Sequence, residues 1–209
     1  MAHDSEVFKD AVNDSPLVAE NLAVGYRHRG NPVPLIGDMQ FRLSPGTLNA
    51  VVGVNGVGKS TLLRTLAGMQ PPLEGSIKIA GTAFEEIPAL QRAQLLSVVL
   101  TEALASRNLR VSELVSLGRH PYTNWLGVLG KGDRDLIQES IRKMELEELA
   151  GRPCHTLSDG QLQRALIARA LAQDSTLYFM DEPFAGVDAA TEKAILSTLH
   201  ELRDSGKTV

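Results

Sequence analysis

The sequence Gly53-Val54-Asn55-Gly56-Val57-Gly58-Lys59-Ser60 decides the fold of this 209-residue chain. Four residues separate a glycine from a Gly-Lys-Ser triplet, which is the phosphate-binding loop pattern. The apolar run 48–52 precedes it, as in a strand buried on both faces of a parallel sheet, and leucines recur at helical spacing in 59–69. The order of strand, glycine turn and helix therefore predicts a loop that holds phosphate groups. A glycine-rich turn with a chance lysine is the alternative.

The chemistry of a phosphate site explains these residue types. Glycines let backbone N–H groups point inward, and a helix N-terminus adds roughly half a positive charge. Lys59 supplies a full charge to the outer phosphates, Ser60 offers a hydroxyl to Mg²⁺, and Thr61 can bond a nearer phosphate.

Two carboxylates, Asp181 and Glu182, follow the apolar run 176–180. They therefore lie at the C-terminal end of a predicted parallel strand, where such sheets bind ligands. Asp181 is expected to hold Mg²⁺ through water, and Glu182 to polarise a water that attacks the outermost phosphate. A helix cap or a turn is the alternative for an acidic pair at this position.

A third motif, Leu157-Ser158-Asp159-Gly160-Gln161, opens a helix predicted over 159–173. Alone it is an ordinary helix cap. Its place between the glycine loop and the acidic pair, in this order, is unlikely to arise by chance.

Composition limits the classes of partner. The 21 basic and 25 acidic residues give a net charge of −4, which argues against nucleic acid as a main partner. The one cysteine, Cys154, cannot form an internal disulfide, so a reducing, cytoplasmic setting is expected. Residues 1–16 form a polar leader rather than a signal peptide, and no apolar run reaches the roughly 20 residues that a spanning helix needs.

The coarse pattern predicts three parts within one domain. Strands and the glycine loop occupy 17–94, a mainly helical insert occupies 95–156, and the last two motifs occupy 157–209. The predicted strands are 17–23, 33–43, 75–81 and 95–100, the insert is helical over 112–149 with a break at 121–132, and a last helix covers 190–203.

With these motifs in order, residues 17–209 resemble the ATP-binding cassette (ABC) ATPases. The resemblance implies an α/β P-loop NTPase (RecA-like) core with an antiparallel β subdomain and a helical insert. In family terms, 53–61 is Walker A, 157–161 the signature, 176–182 Walker B and 185–188 the D-loop. Family members continue into a further strand and a histidine that contacts the γ-phosphate. This chain stops at Val209, so the C-terminal part of the fold is expected to be missing, with a truncated sequence preferred over a genuinely short protein.

The resemblance also implies a set of site residues. Tyr26 is expected to stack on adenine, Glu182 to be catalytic, and Asp188 to be the D-loop aspartate. Mg²⁺ is assigned to Ser60, Asp181 and Thr101. The ATP-binding loop comprises Gly53, Val54, Asn55, Gly56, Val57, Gly58, Lys59, Ser60 and Thr61, and the signature residues serving a partner's ATP are Ser158, Asp159, Gly160 and Gln161.

Two of these assignments depart from the family pattern. Thr101 follows the strand 95–100 where a glutamine is usual, so a water-mediated contact with the metal is expected. Asp159 replaces a commoner glycine and is expected to point aside from the phosphates.

The family's mode of action implies the partners. Two cassettes close head to tail as a homodimer on two ATP molecules, each with Mg²⁺. Permease subunits in the membrane and an extracytoplasmic substrate-binding protein complete an importer, and the cassette is peripheral on the inner face of the cell membrane. The stretch 118–127 resembles importers of iron chelates (siderophores), haem and cobalamin. Two alternatives stay open: a soluble ABC-type switch, and a nucleotide-binding module with weak turnover.

Overall fold

The computed structural model of the chain describes residues 15–100 and 108–209. These residues form two compact units, with a boundary between Ala89 and Leu90 and with Leu202–Val209 in the first unit. The first unit holds the glycine loop, and the second holds the signature and the acidic pair.

The first unit is built on a four-stranded antiparallel sheet with the strand order β2-β1-β3-β4. Inward-facing residues such as Leu17, Ala19 and Ile79 are completely buried, and helix α1 contacts β1. The predicted antiparallel subdomain is therefore confirmed. The elements are β1 (Leu17–His28), β2 (Asn31–Leu43), α1 (Lys59–Leu66), β3 (Glu74–Ile79) and β4 (Thr82–Ala83).

The predicted buried strand at 48–52 is wrong in this structure. These residues form no regular strand, and the side chain of Val52 is 89% exposed. Backbone hydrogen bonds form near the start of this segment, where the Asn49 N–H donates to the Val209 carbonyl and the Val209 N–H donates to the Thr47 carbonyl. An apolar run becomes a buried strand only when neighbouring strands satisfy its N–H and C=O groups on both sides, and among the described residues none does so at 50–52.

The second unit combines a parallel strand pair with helices. Strand β5 (Leu96–Val99) pairs in parallel with β6 (Leu177–Met180), which matches the strands predicted at 95–100 and 176–180. The predicted helical insert is present, including its break. The helices are α2 (Ala89–Leu95), α3 (Val111–Ser116), α4 (Lys131–Lys143), α5 (Asp159–Gln173) and α6 (Ala189–Asp204), with a 3₁₀ segment at Leu117–Tyr122.

Helix α5 is the central helix of the second unit. Small side chains line it, and Ala165, Ala168 and Ala172 are completely buried, which lets neighbouring elements approach closely. Its C-terminal half is tied to β5, because Arg169 donates to the Val98 carbonyl and Gln173 donates to the carbonyl of Leu96. The helix that carries the signature is thus fixed to the strand pair. Each helix in the described ranges is either too short or too polar to span a bilayer.

Candidate functional site

The glycine loop ends at an open helix N-terminus. Gly58 is the N-cap of α1 with φ +110°, a conformation that favours glycine, and because glycine has no side chain the helix start has no side-chain cap. A Cβ at this position would lie 3.2 Å from the Leu35 side chain and 3.3 Å from that of Ile36. The first turn of α1 carries no acidic residue, so the positive end of the helix is available to an anion.

Lys59 lies over this loop rather than reaching away from it. Its Nζ donates to the carbonyl of Gly53 at 2.8 Å and to that of Val54 at 3.0 Å. The ammonium group is therefore held at the loop by two backbone carbonyls, where it can exchange them for phosphate oxygens.

Tyr26 is brought to the same loop by β1. Its hydroxyl shares a hydrogen bond of 2.9 Å with the Thr61 hydroxyl, while the side chain stays 53% exposed. Thr61 also accepts at its carbonyl from the Thr65 hydroxyl. Two residues assigned separately from the sequence, Tyr26 and Thr61, are thus in direct contact.

This donor set fits the phosphates of a nucleotide. An uncapped helix N-terminus, a lysine ammonium and the hydroxyls of Ser60 and Thr61 lie within a few residues of one another. All of them are donors or positive ends, which is the electrostatic complement of a phosphate chain.

The acidic pair follows β6 in the second unit. The Asp181 N–H continues the parallel ladder by donating to Val99 at 2.9 Å, and the residue is only 5% exposed. Glu182 is exposed and adopts φ +49°, which is uncommon for a side chain other than glycine, asparagine or aspartate. Its carbonyl accepts from the Ala185 N–H, closing a turn. The strand end therefore buries one carboxylate residue and exposes the next to solvent.

The signature residues form a capping box. The Ser158 hydroxyl accepts from the Gln161 N–H at 3.3 Å, and the Ser158 N–H donates to the Gln161 side chain at 3.1 Å. Both Ser158 and Asp159 are exposed at the N-terminus of α5. The helix start is thus capped by its own residues and exposed to solvent.

The loop after β6 packs on this helix end. A Cβ at Gly186 would lie 3.4 Å from the Asp159 Cβ, and one at Gly160 would lie 3.7 Å from the Val187 side chain. Asp188 then caps α6, since its carboxylate accepts from the Thr191 N–H and hydroxyl. These two hydrogen bonds lower the pKa of Asp188 below its usual value. The side chain of Asp159 thus lies beside the D-loop.

A buried cluster around Arg119 is the feature that sequence reasoning missed. Arg119 is 7% exposed, and its Nε donates to Asp133 at 2.8 Å while Nη1 donates to the Ala172 carbonyl at 3.0 Å. The guanidinium also lies 3.8 Å from the ring centroid of Tyr122. Burial raises the pKa of Tyr122, and hydrogen bonds from Gly130 and Arg119 lower that of Asp133.

Gly118, next to Arg119, permits this arrangement, because a Cβ there would overlap the carbonyl oxygen of Arg169 on α5. A glycine followed by an arginine, just after an apolar helical run, was the signal available in the sequence. Nothing in the sequence identified the carbonyls on α5 that accept from Arg119.

The predicted site residues therefore fall into two groups. The first unit brings together Tyr26 and the loop 53–61, and the second brings together 158–161, Asp188 and the acidic pair. Thr101 lies outside the described residues. No cluster of three or more His, Cys, Asp or Glu side chains suited to a metal ion occurs within residues 15–100 and 108–209.

Comparison with known proteins gives a family match. The ABC transporter family matches residues 36–185. The manganese transport system ATP-binding protein MntB of Halalkalibacterium halodurans is 38% identical over 197 residues, covering 93% of this chain and 75% of that protein. The chelated iron transport system membrane protein YfeB of Yersinia pestis is 37% identical, covering 92% of this chain and 64% of that protein.

Solved structures agree with these relatives. A transporter described as of the metal-chelate type, in an inward-facing conformation, superposes with a TM-score of 0.76 and 29% identity, covering 94% of this chain and 72% of that one. The dimeric post-hydrolysis state of the cassette MJ0796, bound to ADP and Pi, superposes with a TM-score of 0.82 and 25% identity, covering 92% and 85%.

Proposed function

Because this chain belongs to the ABC transporter family of ATPases, we propose that it is the ATP-binding and hydrolysing subunit of a bacterial importer for a metal complex. The observation that carries the proposal is the glycine loop, where Lys59 lies over an uncapped helix N-terminus. An iron chelate (siderophore) or a related complex such as haem or cobalamin is the proposed cargo.

The first unit binds the nucleotide through the loop 53–61. Lys59 neutralises the outer phosphates after releasing the Gly53 and Val54 carbonyls, and the backbone N–H groups at the start of α1 donate to the rest. Tyr26 presents its half-exposed ring to the adenine, with its hydroxyl held by Thr61.

The second unit carries the acidic pair. By the family resemblance, Ser60 of the loop and the buried Asp181 would hold Mg²⁺. Bound Mg²⁺ would neutralise charge on the phosphate oxygens. Glu182 follows Asp181, and its exposure supports the proposed role of accepting a proton from an attacking water.

The exposed signature points to a second copy of the chain. Ser158 and its neighbours present a helix N-terminus outward, which suits the γ-phosphate of a nucleotide held by a partner cassette. The dimeric form of the similar cassette MJ0796 supports a homodimer here. Loss of the γ-phosphate charge on hydrolysis would weaken this contact and reopen the dimer.

The metal cargo is supported by relatives named for manganese and chelated iron and by a similar transporter of the metal-chelate type. The resemblance of 118–127 to importers of iron chelates favours the chelate over the free ion. Membrane permease subunits and an extracytoplasmic binding protein complete the proposed importer, with this chain on the inner face of the membrane.

Titration calorimetry with ATP and Mg²⁺ tests nucleotide binding. Lys59→Ala should weaken binding at least about tenfold, because a direct charge–phosphate contact is lost. Glu182→Gln should retain binding and lose steady-state hydrolysis. Lys193→Ala, which removes an exposed cation on α6, is the matched control and should change neither. Undiminished ATP binding in the Lys59 variant would contradict the proposal.

Uptake measurements test the cargo. Vesicles containing this chain with its permease and binding protein should accumulate radiolabelled ferric chelate in an ATP-dependent manner. Accumulation of free Mn²⁺ instead would identify the free ion, not the chelate, as the transported cargo.

A further inference from the structure

Gln70 joins strand β1 to helix α1 in the first unit. Its side-chain amide donates to the carbonyl of Gly25 on β1 at 3.2 Å and to the hydroxyl of Thr65 on α1 at 3.0 Å. The Gly25 carbonyl can only accept a hydrogen bond, so this contact requires a donor at position 70. Gly25 and Thr65 are both buried. One side chain thus ties the strand to the helix.

The contact with Gly25 lies just beyond the pairing of β1 with β3. That pairing runs from Leu17 to Ala23, and the Leu73 N–H adds a hydrogen bond of 2.8 Å to the Ala23 carbonyl. The Gly25 carbonyl comes two residues later, and there the Gln70 side chain supplies the donor. A buried carbonyl left without a donor is costly, so Gln70 holds the strand where β3 no longer does.

The hydrogen bonds continue from Thr65 to the phosphate-binding loop. The Thr65 hydroxyl donates to the Thr61 carbonyl at 2.8 Å, and the Thr61 hydroxyl shares a hydrogen bond of 2.9 Å with that of Tyr26. Tyr26 directly follows Gly25 in β1. The contacts therefore form a closed cycle through Gly25, Gln70, Thr65, Thr61 and Tyr26.

The aromatic ring of Tyr26 depends on this cycle because little else holds it. The side chain is 53% exposed, so packing restrains it weakly. The pairing of β1 with β2 is irregular between Val24 and Gly25, directly before the ring. An irregularity of this kind changes the direction of the side chains that follow it. The direction of the ring is thus set by the Tyr26 hydroxyl at one end and by the Gly25 backbone at the other.

We propose that Gln70 is a positioning residue for purine nucleotides, which holds the Tyr26 ring at a fixed place relative to the phosphate-binding loop. The base and the phosphates of ATP belong to one molecule, so both ends bind well only when ring and loop are already correctly spaced. A ring that swings freely loses contact with the base, while the loop still holds the phosphates. This role of Gln70 rests on the proposed function, in which Tyr26 stacks on adenine.

Calorimetry with two ligands tests this role. ATP carries a base and phosphates, whereas inorganic tripolyphosphate carries phosphates alone, and both are titrated in the presence of Mg²⁺. Gln70→Met keeps the length of the side chain and removes the donor. It should lower the ratio of ATP affinity to tripolyphosphate affinity at least about threefold, as the loss of a hydrogen bond that orients the ring predicts.

The affinity ratio separates positioning from a general effect on the fold. If Gln70 only stabilised the first unit, Gln70→Met would lower both affinities alike, and an unchanged ratio would overturn the proposal. Gln138→Met is the matched control, because Gln138 is an exposed glutamine on α4, and it should leave both affinities unchanged.

Two charged variants keep the test decisive where Gln70→Met does not fold. Gln70→Glu has the same shape but cannot donate to the Gly25 carbonyl, so the ratio should fall. Gln70→Lys retains donors for both contacts, so it should keep the ratio of the unmodified chain. The added charges act on the phosphates of both ligands, which is why the ratio is compared. A ratio preserved by glutamate or lowered by lysine would refute the positioning role.

Tyr26→Ala distinguishes failure of this role from failure of the proposed function. Removing the ring should lower the ratio at least about fivefold, because stacking on the base is lost. If Tyr26→Ala lowers the ratio and the Gln70 variants do not, the positioning role alone is refuted. If Tyr26→Ala does not lower it either, the stacking of Tyr26 on adenine in the proposed function is refuted as well.

Discussion

Replacing Arg119 with methionine removes the guanidinium that joins three parts of the second unit. In the structure this group contacts Asp133 at the start of α4, the Ala172 carbonyl at the end of α5, and the ring of Tyr122. The side chains of Arg119 and Asp133 are 8% and 16% exposed, so solvent screens the pair only weakly. Breaking a buried ion pair by removing one partner costs about 3–5 kcal/mol.

A double-mutant cycle isolates the pair. Urea unfolding followed by circular dichroism is measured for Arg119→Met, Asp133→Asn and the double variant. Because both single changes remove the same contact, the loss of unfolding free energy in the double variant should be at least about 1.5 kcal/mol smaller than the sum. The exposed pair of Lys78 and Glu20, with side chains 40% and 42% exposed, is the control and should show a much weaker coupling, because solvent screens it. Losses that add to within about 0.5 kcal/mol would refute the reasoning.

The same pair predicts how the stability of the fold changes with pH. The Gly130 N–H and Arg119 lower the pKa of Asp133, and a carboxylate with a lowered folded-state pKa stabilises the fold above its unfolded pKa of about 3.9. That contribution is lost as the pH falls through the lower, folded-state pKa. The stability difference between the unmodified chain and Asp133→Asn should thus be constant near neutral pH and shrink below about pH 4. A difference that grows on acidification would contradict this assignment.

Three further predictions concern the ends of helices. Gly58→Ala should strain the positive-φ N-cap of α1 by about 1–3 kcal/mol and press on Leu35, weakening ATP binding measured by calorimetry. Ser158→Ala should lower the unfolding free energy by about 1 kcal/mol in urea melts, and Ser158→Thr should retain most of it, because only the alanine variant loses the capping oxygen. Asp188→Ala should fray the start of α6 more than Asp188→Asn, because asparagine can still accept from Thr191; hydrogen exchange at the first turn measures this.

Local signals in the sequence were enough to locate α5. The serine at 158 and the glutamine at 161 predict a capping box, and the helix begins at Asp159 and ends at Gln173 as predicted. The strand predicted before the acidic pair is also present, since an apolar run this short favours a strand over a helix by its length. Predictions that depend on neighbours within a few residues therefore agree with the structure.

Predictions that depend on distant partners were less successful. The apolar run 48–52 has the composition of a buried strand, but its state is decided by which strands pair with it, and composition does not contain that information. Arg119 is the converse case, since arginine is usually exposed and its burial depends on carbonyls more than fifty residues away along the chain. The chemical type of Lys59 was predictable, whereas its contacts with two loop carbonyls were not.

Helix α5 links the signature to the start of α4. Its N-terminus presents Ser158 outward, and its C-terminus is held through Arg119 to Asp133 at the start of α4. This 15-residue helix is about 22 Å long, and seven of its residues are buried. One ion pair and one helix therefore connect the start of α4 to the signature. Arg119→Lys keeps the positive charge but cannot form the same forked contacts. It therefore distinguishes the effect of losing this connection from the effect of losing the charge.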